Sequence, residues 1–222
     1  MKITIADITK KYRKKQVLCD VQLEAQSGKC IGILGGNGSG KSTLLSILAG
    51  VLEPDKGSFL CDDRDLLKDA KSRAQLVGYV PQGTPLLEEL TAWDNLLLWY
   101  DKKELLRQLD GGVLAMLGVG EFLKTQVSKM SGGMKKRLSI GCAVAAQPPI
   151  LLLDEPTAAL DLVCKQEISR YLKSHKEAGG ILLLATHDVQ ELSLCDEWYI
   201  LKDGKLTPFT YEGDVDALVA RL

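Results

Sequence analysis

Cys30-Ile31-Gly32-Ile33-Leu34-Gly35-Gly36-Asn37-Gly38-Ser39-Gly40-Lys41-Ser42-Thr43-Leu44-Leu45 is the stretch on which the fold turns. Its first five residues form a short apolar run that ends in glycines. Beyond the glycines, Leu44, Leu45, Ile47, Leu48, Val51 and Leu52 recur on one side of a helical pattern. The order predicted is strand, glycine loop, helix. Gly50 and then Pro54 follow in the sequence expected of a helix C-terminal stop. Residues 35–42 match G-x-x-x-x-G-K-[ST] and lie between a strand and a helix, where the motif has a mechanism. Glycines let successive backbone N–H groups turn inward on a polyphosphate, and the helix adds its positive end. Lys41 is expected at the β- and γ-phosphates, Ser42 at Mg²⁺, and Thr43 at the next phosphate contact.

Working outward, 222 residues suit one large domain or one domain carrying an inserted subdomain. With 45% hydrophobic and 26% charged residues the chain has the composition of an ordinary globular protein, which excludes disorder and collagen-like repeats. Lys plus Arg is 28 against 29 Asp plus Glu, a net charge of −1, so no global field draws the chain to nucleic acid or anionic lipid. No apolar run approaches the ~20 residues of a membrane span. Residues 1–7 lack the apolar core of a signal peptide, so the expected compartment is the cytosol. The six cysteines are widely scattered, with neither zinc-ligand nor disulfide-framework spacing, and read as free thiols.

Residues 2–7 and 17–23 alternate with period two around a polar, basic stretch at 10–16, as paired antiparallel strands do. Strand-like stretches recur at 57–61 and 76–80. From Pro81 to about Ala146 the pattern turns leucine-rich and helical, and residues 163–175 also read as a helix. Within the leucine-rich region Trp93, Leu96, Leu97 and Tyr100 share one helical face, with Leu98 and Trp99 off it. That apolar surplus either packs internally or forms an exposed patch for a partner helix. Residues 150–153 and 181–185 are unbroken apolar runs, the mark of parallel strands covered on both faces. Asp203-Gly204 between apolar residues is a hairpin signal.

The run at 150–153 delivers Asp154 and Glu155 to the carboxyl end of a central strand, where open α/β sheets place ligands. One acid suits a metal and the next suits polarising the attacking water, so Asp154 is assigned to Mg²⁺ and Glu155 to the base.

Taken together, these residues resemble the nucleotide-binding domain of an ATP-binding cassette (ABC) protein over nearly the whole chain. Gly35, Asn37, Gly38, Ser39, Gly40, Lys41, Ser42 and Thr43 resemble its Walker A loop, and Asp154-Glu155 its Walker B pair. Tyr12 resembles the aromatic residue that stacks on adenine, and Gln82 the Q-loop glutamine that reaches Mg²⁺ and the attacking water. Met130-Ser131-Gly132-Gly133-Met134 resembles the signature, Ala159-Leu160-Asp161 the D-loop, and His187 the switch histidine at the γ-phosphate.

The resemblance implies a P-loop NTPase α/β core with a mostly parallel sheet, an N-terminal antiparallel β subdomain and an inserted helical subdomain. Residues 1–81 and 147–222 would form the core and β subdomain, and 82–146 the helical subdomain. It implies ATP and Mg²⁺, with Glu155, His187, Lys41 and Gln82 catalytic, Ser42, Gln82 and Asp154 at the metal, and Ser131, Gly132, Gly133 and Asp161 at nucleotide. The implied partners are a second ABC ATPase subunit, identical or different, and a separate transmembrane permease that would hold the chain at the cytoplasmic membrane face, with no direct nucleic acid. A soluble single-cassette ATPase of the iron–sulfur-assembly type is the alternative. The signature departs from the commoner Leu-Ser-Gly-Gly-Gln at Met130 and Met134, and Met134 cannot complete a capping box with Ser131, so a retained but weakened signature contact is expected. Lys135-Lys136-Arg137 reads as a solvated charged helix face.

Overall fold

The computed structural model describes residues 1–158, 160–186, 189–211 and 221, with Val189 and Gln190 known by backbone only. The chain opens with β1 (Lys2–Tyr12) and β2 (Lys15–Gln26), then β3 (Cys30–Leu34) leads into α1 (Lys41–Ala49). Next come β4 (Lys56–Cys61), β5 (Arg64–Asp65), α2 (Ala70–Leu76) and β6 (Val77–Val80). The leucine-rich region forms α3 (Ala92–Leu97), α4 (Lys102–Gly111), α5 (Val113–Met116) and α6 (Gly132–Ala143), with two 3₁₀ turns between α5 and α6. β7 (Ile150–Asp154), α7 (Leu162–Glu177), β8 (Ile181–Ala185) and α8 (Val189–Leu192) precede the hairpin of β9 (Glu197–Lys202) and β10 (Lys205–Phe209).

Two sheets result. The larger has the order β10-β9-β3-β8-β7-β6, parallel from β9 to β6, with β10 antiparallel at the edge. β3, β7 and β8 are buried at every residue, which is why their sequences are apolar without alternation. Their side chains divide between two cores: Ile31, Ile33, Leu152 and Leu183 pack with α1 and the second sheet, while Leu151, Leu153, Leu182 and Leu184 pack with α3, α6 and α7. The second sheet, β2-β1-β4-β5, is wholly antiparallel. It is tied to the first where the Cys19 amide donates to the Gly204 carbonyl at 2.7 Å. The hairpin at Asp203 (φ 51°) and Gly204 (φ 77°) has the double positive φ that Asp-Gly favours.

Four expectations need correction. The basic stretch at 10–16 does not separate the first strands: both run into it, and the turn is confined to Arg13 and Lys14. Val51 is not on the buried face of α1 and is 72% exposed, because Gly50, left-handed at φ 77°, turns the chain away after Ala49. The apolar face after Trp93 is split. Leu96 and Tyr100 are buried, but α3 ends at Leu97, which with Leu98 and Trp99 is left exposed. Finally, the cations at 135–137 are not a solvated face. Lys136 is only 4% exposed, and the Arg137 side chain is held between the Glu167 carboxylate at 3.1 Å and the Phe122 ring.

All six cysteines are free thiols. Among the described residues no helix is long and apolar enough to cross a membrane.

Candidate nucleotide site

The glycine loop follows β3 at the carboxyl edge of the parallel sheet. Gly35 has φ 156°, and a Cβ there would stand 2.5 Å from the Leu201 carbonyl oxygen, so the loop closes against β9 only without a side chain. At the other end Gly40 (φ 110°) starts α1 and lies against Val17 of β2. A cavity of about 250 Å³ opens above, lined by residues 37–43, Val17, Gln82 and Glu155. The Lys41 ammonium donates to the carbonyls of Gly35 (2.7 Å) and Gly36 (3.2 Å), which lays its side chain back along the loop.

Asp154 ends β7, 2% exposed, and its carboxylate is hydrogen-bonded by the Ser42 hydroxyl. Burial pushes its pKa up; the Ser42 bond opposes this, the neighbouring Glu155 adds to it, and Lys41 and Lys136 oppose it. Lys41 is the mirror case, pulled down by burial and held up by Glu155 and Asp154. Glu155 has φ 47°, a conformation rare for a residue with a Cβ, and its amide donates to the Ala185 carbonyl of β8 at 2.8 Å. The kink directs its carboxylate to the cavity, where Oε2 accepts from Gln82 Nε2 at 2.8 Å. Gln82 arrives there because β6 pairs in parallel with β7 and the chain leaves the sheet at Pro81, one residue earlier.

The structure thus gathers Asn37, Gly38, Ser39, Gly40, Lys41, Ser42, Thr43, Gln82 and Glu155 around one space, with Asp154 directly behind Ser42. The donor set fits Mg²⁺: a hydroxyl and a carboxylate already in contact, with an amide beside them, are hard oxygen ligands. The hydroxyl of Ser39 is buried with no partner among the described residues, as a group reserved for a phosphate oxygen would be.

The family model for ABC transporters matches residues 18–158. The chain belongs to the ABC transporter family. It is 32% identical over 204 residues to the lipopolysaccharide export system ATP-binding protein LptB of Acidithiobacillus ferridurans, covering 89% of this chain and 85% of that one. It is 32% identical over 205 residues to the linearmycin resistance ATP-binding protein LnrL of Bacillus subtilis, covering 90% of this chain and 66% of the relative. With the sulfate/thiosulfate import ATP-binding protein CysA 1 of Shewanella oneidensis it shares 34% identity over 216 residues, 93% of this chain but 57% of that protein. The ATP-binding subunit of an ABC transporter superposes with a TM-score of 0.87 at 26% identity, covering 100% of this chain and 99% of the other. A dimeric cassette, MJ0796 bound to ADP and Pi, does so at 0.85 and 28%, covering 96% and 100%. The chain carries the ATPase domain of the ABC transporter family.

Other residues that the ABC resemblance singled out lie elsewhere. Tyr12, at the end of β1, is 46% exposed under the Lys10 ammonium and does not line the cavity. Ser131 caps α6, accepting from the Met134 amide at 3.3 Å, and it too is outside the cavity with Gly132 and Gly133. Asp161 caps α7, accepting from the Cys164 amide at 2.9 Å, and stands beside Gly133 instead of the phosphate loop. His187 and Ala159 lie outside the described residues.

Three residues of the site were missed. Val17 had no signal beyond strand alternation. Glu191, 2% exposed, accepts from the Thr157 amide at 3.0 Å and so holds the segment after Glu155. Lys136 donates to the carbonyls of Pro81 (2.8 Å) and Gln82 (3.3 Å). Burial pulls its pKa down, while Asp154, Glu191 and Glu155 push it back up.

Proposed function

We propose that this chain is the ATP-binding and ATP-hydrolysing subunit of a transporter. In this reading it closes with a second cassette over ATP and thereby moves a separate membrane-spanning permease, to which it is attached at the cytoplasmic face. The observation that carries it is the pairing of Gln82 with Glu155 across the mouth of the phosphate-loop cavity.

In this reading the loop amides and Lys41 hold the β- and γ-phosphates, and Lys41 exchanges its two carbonyl partners for phosphate oxygens. Ser42, Asp154 and Gln82 would hold Mg²⁺, which supplies charge neutralisation between the phosphates when bound. Glu155, aimed by Gln82, orients a water in line with the γ-phosphorus, with His187 and Lys41 facing the charge that builds there. Ser131, Gly132, Gly133 and Asp161 serve the nucleotide of the other cassette, which accounts for their distance from this chain's own cavity. Tyr12 awaits an adenine ring.

A second opening supports the permease. An apolar groove of about 540 Å³ runs between Val51, Ala74, Tyr79, Pro81, Leu86 and Trp99, and Trp99 is 65% exposed on its rim. Its floor includes Pro81, the residue before Gln82, so whatever sits there touches the segment that aims Glu155.

Recovery of tagged full chain from detergent-solubilised membranes tests the proposal. The expected companion is a multi-span membrane protein in comparable amount, lost by at least about tenfold with Trp99→Asp while ATP binding persists. Companions that are all soluble would transfer the chain to the assembly class.

A further inference from the structure

Lys136 lies in the second turn of α6, the helix that the signature segment opens. Placing an ammonium there is unfavourable, because stripping water from a charge destabilises the fold unless good partners replace the water. A methionine of equal length would fill the same volume without that cost. The partners found are specific. Nζ donates to two consecutive carbonyls, Pro81 at 2.8 Å and Gln82 at 3.3 Å, just where the chain leaves β6. The next link is the Gln82 side chain, which donates to Glu155 at 2.8 Å. One side chain therefore joins the signature helix to the main chain whose amide aims the carboxylate.

We propose that Lys136 is a positioning residue for hydrolysis: its ammonium pins the backbone at Pro81 and Gln82, keeps Glu155 aimed through Gln82, and makes that aim depend on where the signature helix stands. The inference rests on Glu155 being the base, as proposed above. It goes further by giving the signature helix a route to this chain's own reacting centre, in addition to the nucleotide it faces on another cassette. A group that only filled space at this position would have no reason to act through Gln82.

Phosphate release by the purified full chain tests it. Lys136→Met should lower kcat by about tenfold or more with KM for ATP changed less than about twofold, and Lys136→Arg, which keeps charge and donors, should recover most of the loss. In a Gln82→Ala background the same Lys136→Met change should cost less than about threefold, because both substitutions break one route. Lys136→Met with normal kcat, a loss confined to KM, or a loss undiminished without Gln82 would each overturn the proposal. Should thermal melting find Lys136→Met unfolded, Lys136→Gln, which keeps a donor without the charge, is read by the same criteria. Glu155→Gln separates the two layers: normal turnover there removes the base assignment, whereas coupling between Lys136 and Gln82 is measured without reference to it.

Discussion

Glu155 is held at φ 47° between a strand and a proline, a backbone state that costs on the order of 1–3 kcal/mol and persists only where neighbours enforce it. The enforcing contacts are the bond from its own amide to Ala185 and the grip of Gln82 on its carboxylate. Glu155→Gln keeps the size of the side chain and removes its basicity. Turnover should drop by about 10²–10⁴-fold with ATP affinity nearly unchanged, read by phosphate release and fluorescent-nucleotide titration. Comparable turnover in the two proteins would remove the residue from its assigned role. The placement of Lys41, Ser42, Asp154 and Glu155 together at the sheet edge was legible because each belongs to a short contiguous motif whose backbone geometry positions it. Lys136 was not read correctly, although a signal existed. Three consecutive helical residues point in directions about 100° apart, so a run of three cations spans most of the helix and cannot all face water on a helix packed on one side. The row of charges at 135–137 was thus itself a reason to expect one of them inside.

At the scale of elements, the parallel strands, the Asp-Gly hairpin and α7 were legible because composition and period agree with tertiary role in each. Helix ends were less so. Whether Val51 faces the core depends on where α1 stops, which the apolar period does not encode but Gly50 does; in α3 the Thr91–Asp94 capping box marks the start, and nothing comparable marks the stop after Leu97. The C-terminal end of α7 carries a consequence of its own. His175 sits in the last turn, where the helix dipole favours a cation, yet burial wins and lowers its pKa, against the raising effect of its bond to the Pro149 carbonyl. Its Nε2 is buried with no partner among the described residues. Because the folded value lies below the usual ~6.5, the unfolded chain takes up the proton first. Stability is therefore unaffected above that pH and declines as pH falls through the window down to the folded value. Wild-type protein should melt lower at pH 5 than at pH 8, and His175→Gln should narrow that difference, by about 2–4 °C for each kcal/mol relieved. Equal pH slopes in the two proteins would show that the imidazole titrates freely in the fold.

For the whole molecule, the decisive geometry is a separation. The phosphate loop, Gln82 and Glu155 share one cavity, while Ser131 and its two glycines cap a helix outside it, next to Asp161. On the function proposed above, each signature in a two-fold dimer of this chain would meet the partner's nucleotide, so each complete site would draw on two copies. Lys41→Ala disables the phosphate loop and Ser131→Arg blocks the signature, and either variant alone should be inactive as a homodimer. Mixed, they form dimers in which one site carries both lesions and the other carries neither. Random pairing makes half the dimers mixed, each with one intact site of two, so equimolar mixing should restore about a quarter of wild-type turnover. The measurement is phosphate release at fixed total protein before and after mixing, with each variant's nucleotide binding as control. Two inactive proteins that remain inactive together would mean that a second copy of this chain does not complete the site, and would point to a different cassette as its working partner.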